Sequence, residues 1–92
     1  MEKLVRIYTE DVNRDEVVTV IGHYFSAYTV YDASGVWEKV AEKTVIFEFL
    51  IPEGIYQNTR IGYVRDIANF IKANNKQDAV LITATVVESE LV

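Results

Sequence analysis

The spacing of apolar residues changes along the chain, and each change predicts an element. LVRIYT, Leu4 to Thr9, is rich in β-branched and aromatic residues and reads as a strand. The polar run EDVNRDE stops it. Asn13 with Glu16 three residues later is a capping-box-like pair, and Asp15 and Glu16 suit the positive end of a helix dipole, so a helix is expected from about Arg14. Val17, Val20, Ile21 and Tyr24 recur at helical spacing, Val18 and Phe25 widen the stripe, and Gly22 weakens the helix near its end. Alternation takes over from Ala27 to Tyr31 and again from Thr44 to Ile51, most cleanly in Val45, Phe47, Phe49 and Ile51. Between these two strands DASGVWE carries Asp32, Ser34 and Gly35, which favour turns, so a hairpin is expected with a connection longer than the tight two-residue kind. Pro52 and Gly54 close the third strand. Asn58 or Thr59 is expected to cap a second helix, with Ile61, Val64, Ile67, Ala68 and Ile71 inward, ending at Asn74 and Asn75. AVLITATVV, Ala79 to Val87, is almost uncharged and predicts a final strand covered on both faces.

The order β-α-β-β-α-β over residues 1–92 resembles the ferredoxin-like arrangement. That implies one α+β domain, a four-stranded antiparallel sheet with both helices on one face and the first and third strands central. Such a sheet leaves its other face bare. Here both Val45, Phe47 and Phe49 and the alternate set Ile46 and Leu50 are hydrophobic, so either register leaves apolar area outside. At about 25 cal/mol per Å², a few hundred Å² left wet forgoes several kcal/mol, comparable to a small domain's stability. A homodimer or homotrimer packed through the sheet or its edges is therefore expected.

Fourteen acidic against nine basic side chains give a formal charge of −5, the wrong sign for general nucleic-acid binding. No cysteine is present, which removes disulfides, thiolate metal sites and a cysteine nucleophile. No resident cofactor is indicated. The N-terminus lacks a signal-peptide layout and the longest apolar runs fall far short of the roughly 20 residues that span a bilayer, so a cytoplasmic protein without membrane contact is expected.

Candidate chemistry is sparse. Glu10 follows the first strand and Glu42 precedes the third; if they converge they form an acid/base pair, the plainer reading being a solvated rim. His23, the lone histidine, lies near a helix end, where its ordinary place is the surface; with no second histidine, a transition-metal site has no support. Tyr8 lies on the first strand, while Tyr56 and Tyr63 flank the start of the second helix near Arg60 and Arg65. Tyrosine with arginine at a helix N-terminus suits an anionic or aromatic ligand, although interface packing between chains, which also enriches both residues, is the favoured reading. Trp37 reads as a seal on the hairpin connection or on a subunit contact, with ligand stacking as the alternative.

The architecture looks like the PII signalling proteins, the copper-tolerance trimers and the ACT regulatory modules. That likeness implies a compact oligomer with small ligands in clefts between subunits. Locally, Thr9, Glu10, Phe25, Thr29, Gly35, Trp37, Glu42 and Thr44, with Asn75, Gln77, Asp78, Ala79 and Val80 further on, resemble a pattern in uncharacterised small proteins of bacteria and their phages. Three functions stay open. The leading one is a non-enzymatic homo-oligomer that senses or sequesters a small ligand, such as a nucleotide or another anion, at a subunit boundary. A second is a phage-type protein that binds and inhibits a host protein. A third is a small dimeric ferredoxin-like lyase or isomerase, which requires Glu10, Glu42 and His23 in one pocket.

Overall fold

A computed structural model describes all of residues 1–92. It contains β1 (Glu2–Glu10), α1 (Arg14–Gly22), β2 (Thr29–Trp37), β3 (Val40–Ile51), α2 (Gln57–Asn74) and β4 (Leu81–Val87). The strands form one antiparallel sheet in the order β2-β3-β1-β4, so β1 and β3 are central and each helical crossover skips one strand. This is the ferredoxin-like α+β fold that the order of elements implies.

Alternation decides which face is which. Val5 and Ile7 on β1 and Val45, Phe47, Phe49 and Ile51 on β3 point toward the helices, where they meet Val17 and Ile21 of α1 and Val64, Ile67 and Ile71 of α2 in one core. At one end of this core Phe25 packs on Phe49 with ring centroids 4.6 Å apart, and Tyr63 on Tyr24 at 5.2 Å. The opposite face of the sheet is uncovered by the chain itself. Along it run the row Tyr31–Ile46–Tyr8–Leu81, then Thr29–Glu48–Arg6–Thr83, where Arg6 Nε donates to Glu48 at 2.7 Å. Ile46, flanked by two tyrosines, is only 7% exposed, whereas Leu50 and Leu81 nearer the margins are 46% and 57% exposed. The open face is thus mixed rather than uniformly apolar, and its exposed apolar area gathers at its edges.

Four local expectations need correction. DASGVW is strand, not bend: β2 pairs with β3 as far as Trp37↔Val40, and the connection is the tight two-residue kind, Glu38 and Lys39, with φ of 48° and 68°. Both angles are left-handed, as a type I′ turn requires, although neither residue is one that favours it. Asp32 is tolerated in a strand because it lies on the helix side, where the Arg14 guanidinium donates to it as well as to Asp11. Asn13 stands at the N-cap of α1 without capping it; its Nδ2 donates to Asn75 Oδ1 at 2.9 Å instead. Helix α2 begins at Gln57 after Tyr56, ahead of Asn58 and Thr59, with no side-chain cap. Finally, β4 is an edge strand, exposed along much of its length rather than covered on both faces.

Candidate functional site

The strands differ in length, and the difference makes a crevice. β4 pairs with β1 only as far as Leu81↔Tyr8, while β1 continues to Glu10 and the β2–β3 hairpin runs on to its turn. The loop Asn75 to Val80 crosses the gap that β4 leaves beside the end of β1. Between this loop and the overhanging hairpin lies a crevice of about 600 Å³, within the range of small-molecule sites.

Its floor can be read from the register. Beyond the Tyr31–Ile46–Tyr8 row come Ala33–Thr44–Glu10, then Gly35–Glu42, then Trp37–Val40 at the hairpin tip. Rows on one face repeat about every 7 Å. Tyr8 therefore stands at the inner end and Trp37, 53% exposed, at the outer end, with the small Ala33 and Gly35 between them. Gly35 has ordinary strand geometry, yet a Cβ there would meet Thr44 Oγ1 at 2.5 Å, so the floor at this point is bare backbone with a hydroxyl leaning across it. Glu10 and Glu42 sit on adjacent strands in neighbouring rows of the same face, the diagonal relation that sets side chains within reach of one ligand. With Asp78 they place three carboxylates around the crevice against one ammonium, Lys76.

The loop wall is positioned by the end of α2. Lys76 adopts φ 53°, and the amides of Lys76 and Gln77 donate back to the carbonyls of Ala73 and Lys72 at 3.4 and 3.0 Å, a Schellman-type close. Asn75 ties this end to the start of α1 by donating to the Val12 carbonyl at 2.9 Å. The chain reversal turns Gln77 back onto β1, where Thr9 Oγ1 donates to its Oε1 at 2.9 Å. Nearby, Arg14 beside Asp11 holds that carboxyl below the usual carboxylate range, while the two aspartates raise the Arg14 guanidinium.

Of the residues singled out in the sequence, Tyr8, Glu10, Trp37 and Glu42 meet in this crevice. The other candidate ligand-binding and acid/base residues do not join them. His23 is exposed just beyond the C-terminal end of α1, the far end of that helix from Arg14, so the Glu10/Glu42/His23 set is not assembled. Tyr63 packs against Tyr24 and Phe25, Tyr56 stands exposed before α2, and Arg60 is half-buried beside neither Tyr8 nor Trp37. Arg65 lines a separate shallow hollow with Lys72 and Ala79. Gly35, Thr44 and Gln77 of the crevice were legible only as members of a recurring pattern, because their role depends on register and on the turn after α2.

No family model and no curated protein matches the chain. Solved structures do. A DUF3240 family protein from Shewanella baltica OS155 aligns with TM-score 0.69 at 12% identity, over 99% of this chain and 94% of that one. A phage SAM lyase, solved in complex with S-methyl-5′-thioadenosine, aligns with TM-score 0.72 at 16% identity, over 91% and 80%. A PII-like signalling protein from Thermus thermophilus aligns with TM-score 0.56 at 15% identity, over 91% and 83%. At these identities the likeness is one of fold: this chain is a small ferredoxin-like α+β domain of the kind that includes PII-like and uncharacterised members. No helix in it is long and apolar enough to cross a membrane.

Proposed function

We propose that the protein binds a nucleoside-like small molecule, uncharged or cationic and free of phosphate, in the crevice between the β2–β3 hairpin and the Asn75–Val80 loop. The observation that carries this reading is the composition of the crevice: aromatic rings at its two ends, a floor of Ala33 and bare Gly35, and three carboxylates to one ammonium. A planar base finds an aromatic face in Trp37 or Tyr8. Carboxylates such as Glu10 and Glu42 accept hydrogen bonds from ribose hydroxyls, the role an acidic residue plays in dinucleotide-binding folds. The same carboxylates repel phosphate, which turns the expectation of an anionic ligand into one of a neutral or positive ligand. The phage SAM lyase of the same fold, solved with a phosphate-free nucleoside, is consistent with this class of ligand.

The chain acts here as a binding protein that assembles with copies of itself, the exposed apolar margin of the open face at Leu50 and Leu81 being the area a second copy would cover. Two experiments test the reading. In a thermal-shift panel, adenosine, S-methyl-5′-thioadenosine and S-adenosylmethionine raise the melting temperature and AMP and ATP do not. Stabilisation by the phosphorylated compounds alone contradicts it. The mass in solution is expected to be two or three times 10.5 kDa; a monodisperse monomer overturns the assembly.

A further inference from the structure

Among side chains that are not exposed, one buried polar atom in the protein lacks a hydrogen-bond partner: Nε2 of Gln77. It belongs to a residue that lines the crevice. Its other end is held, since Thr9 Oγ1 donates to Gln77 Oε1 at 2.9 Å. A glutamine kept only as a strut between α2 and β1 would pair both ends of its amide, because a buried donor without an acceptor works against folding. A donor with no acceptor inside the protein is one that a ligand can satisfy.

Resting on the nucleoside reading above, we propose that Gln77 selects the ligand, its Nε2 donating to a ring nitrogen of the bound base. The terminal torsion of glutamine is broad, so the amide turns toward the crevice without leaving a rotamer well. Thr9 is not stranded when it does, because the Glu10 carbonyl lies 3.4 Å from its Oγ1 as an alternative acceptor. Such a donor discriminates more sharply than an apolar wall, since an analogue lacking the acceptor leaves it buried and unpaired.

Gln77→Met tests this, keeping an unbranched side chain of similar reach while removing both polar ends. The first readout needs no ligand. The variant is expected to melt at the wild-type temperature or higher, because the unpaired donor is gone; a fall of several degrees marks Gln77 as a structural strut and overturns the proposal. The second readout is calorimetric titration with adenosine and its three monodeaza analogues, each lacking one ring nitrogen. In the wild type one analogue is expected to bind about tenfold or more weakly than adenosine, and in Gln77→Met that preference disappears. Equal affinity for all four in the wild type, or a preference that survives in the variant, overturns the role of Gln77 and leaves nucleoside binding standing. Failure of the wild type to bind any of them overturns both.

Discussion

Replacing Gly35 by alanine puts the geometry of the crevice floor to a quantitative test. The new Cβ would lie 2.5 Å from Thr44 Oγ1, closer than a carbon and an oxygen can approach, while Thr44 Cβ at 3.7 Å and Glu42 Cγ at 3.9 Å are ordinary neighbours. Only the hydroxyl stands in the way. Threonine is stiff at χ1, so accommodation means forcing it off its rotamer or shifting β2 from β3, at a cost of about 1–3 kcal/mol. Against this, alanine in a strand is better than glycine by about 0.5–1 kcal/mol. The net expectation for Gly35→Ala is a loss of about 1 kcal/mol, seen as a lower midpoint in equilibrium urea unfolding with an unchanged slope. Removing the obstacle reverses the sign: in a Thr44→Ala background the same substitution should stabilise by about 0.5–1 kcal/mol, because only the strand preference remains. Equal effects in the two backgrounds, or a gain in the wild type, would show that Thr44 does not lean over Gly35 and that the floor is not shaped as described.

Two further predictions concern the frame around the site. Glu38 and Lys39 hold left-handed angles that cost of order 1 kcal/mol for each non-glycine residue, so Glu38→Asn with Lys39→Gly should raise the unfolding free energy by about 1 kcal/mol, read from the denaturant midpoint; no gain would mean that the turn carries no strain. The Asp11 carboxyl is held low by Arg14, so its contribution to stability is present above the ordinary carboxylate pKa of about 4 and is lost as pH falls through its depressed value. The melting temperature of wild type should therefore exceed that of Asp11→Asn at pH 7, and the gap should narrow as the pH falls below about 4. A gap that stays constant refutes the pairing.

The core was legible because its signal is periodic: Val45, Phe47, Phe49 and Ile51 alternate, and Val64, Ile67 and Ile71 recur at helical spacing, so the helix-facing side and the order of elements follow from the sequence. The hairpin was legible too, but the position of its turn was not. Asp32, Ser34 and Gly35 carry the composition of a turn, but the ion pair with Arg14 and the bare approach to Thr44 account for the aspartate and the glycine, and the real turn uses Glu38 and Lys39, which show no turn preference. Tyr8, Glu10, Trp37 and Glu42 stood out by residue type before anything placed them together. What joins them is the early end of β4 and the reversal at Lys76, neither of which has a local signature. Conversely, Tyr56, Arg60, Tyr63 and Arg65 are near in sequence but lie outside the crevice, Tyr63 packed on Tyr24 and Arg65 in a separate hollow.

The most direct test of the account is to find where a nucleoside touches the protein. On titration with S-methyl-5′-thioadenosine, amide and side-chain NMR signals of Trp37, Gly35, Glu10 and Gln77 are expected to shift together and saturate. Shifts confined to Tyr56, Arg60 and Arg65 at α2, or none at saturating nucleoside, would contradict it.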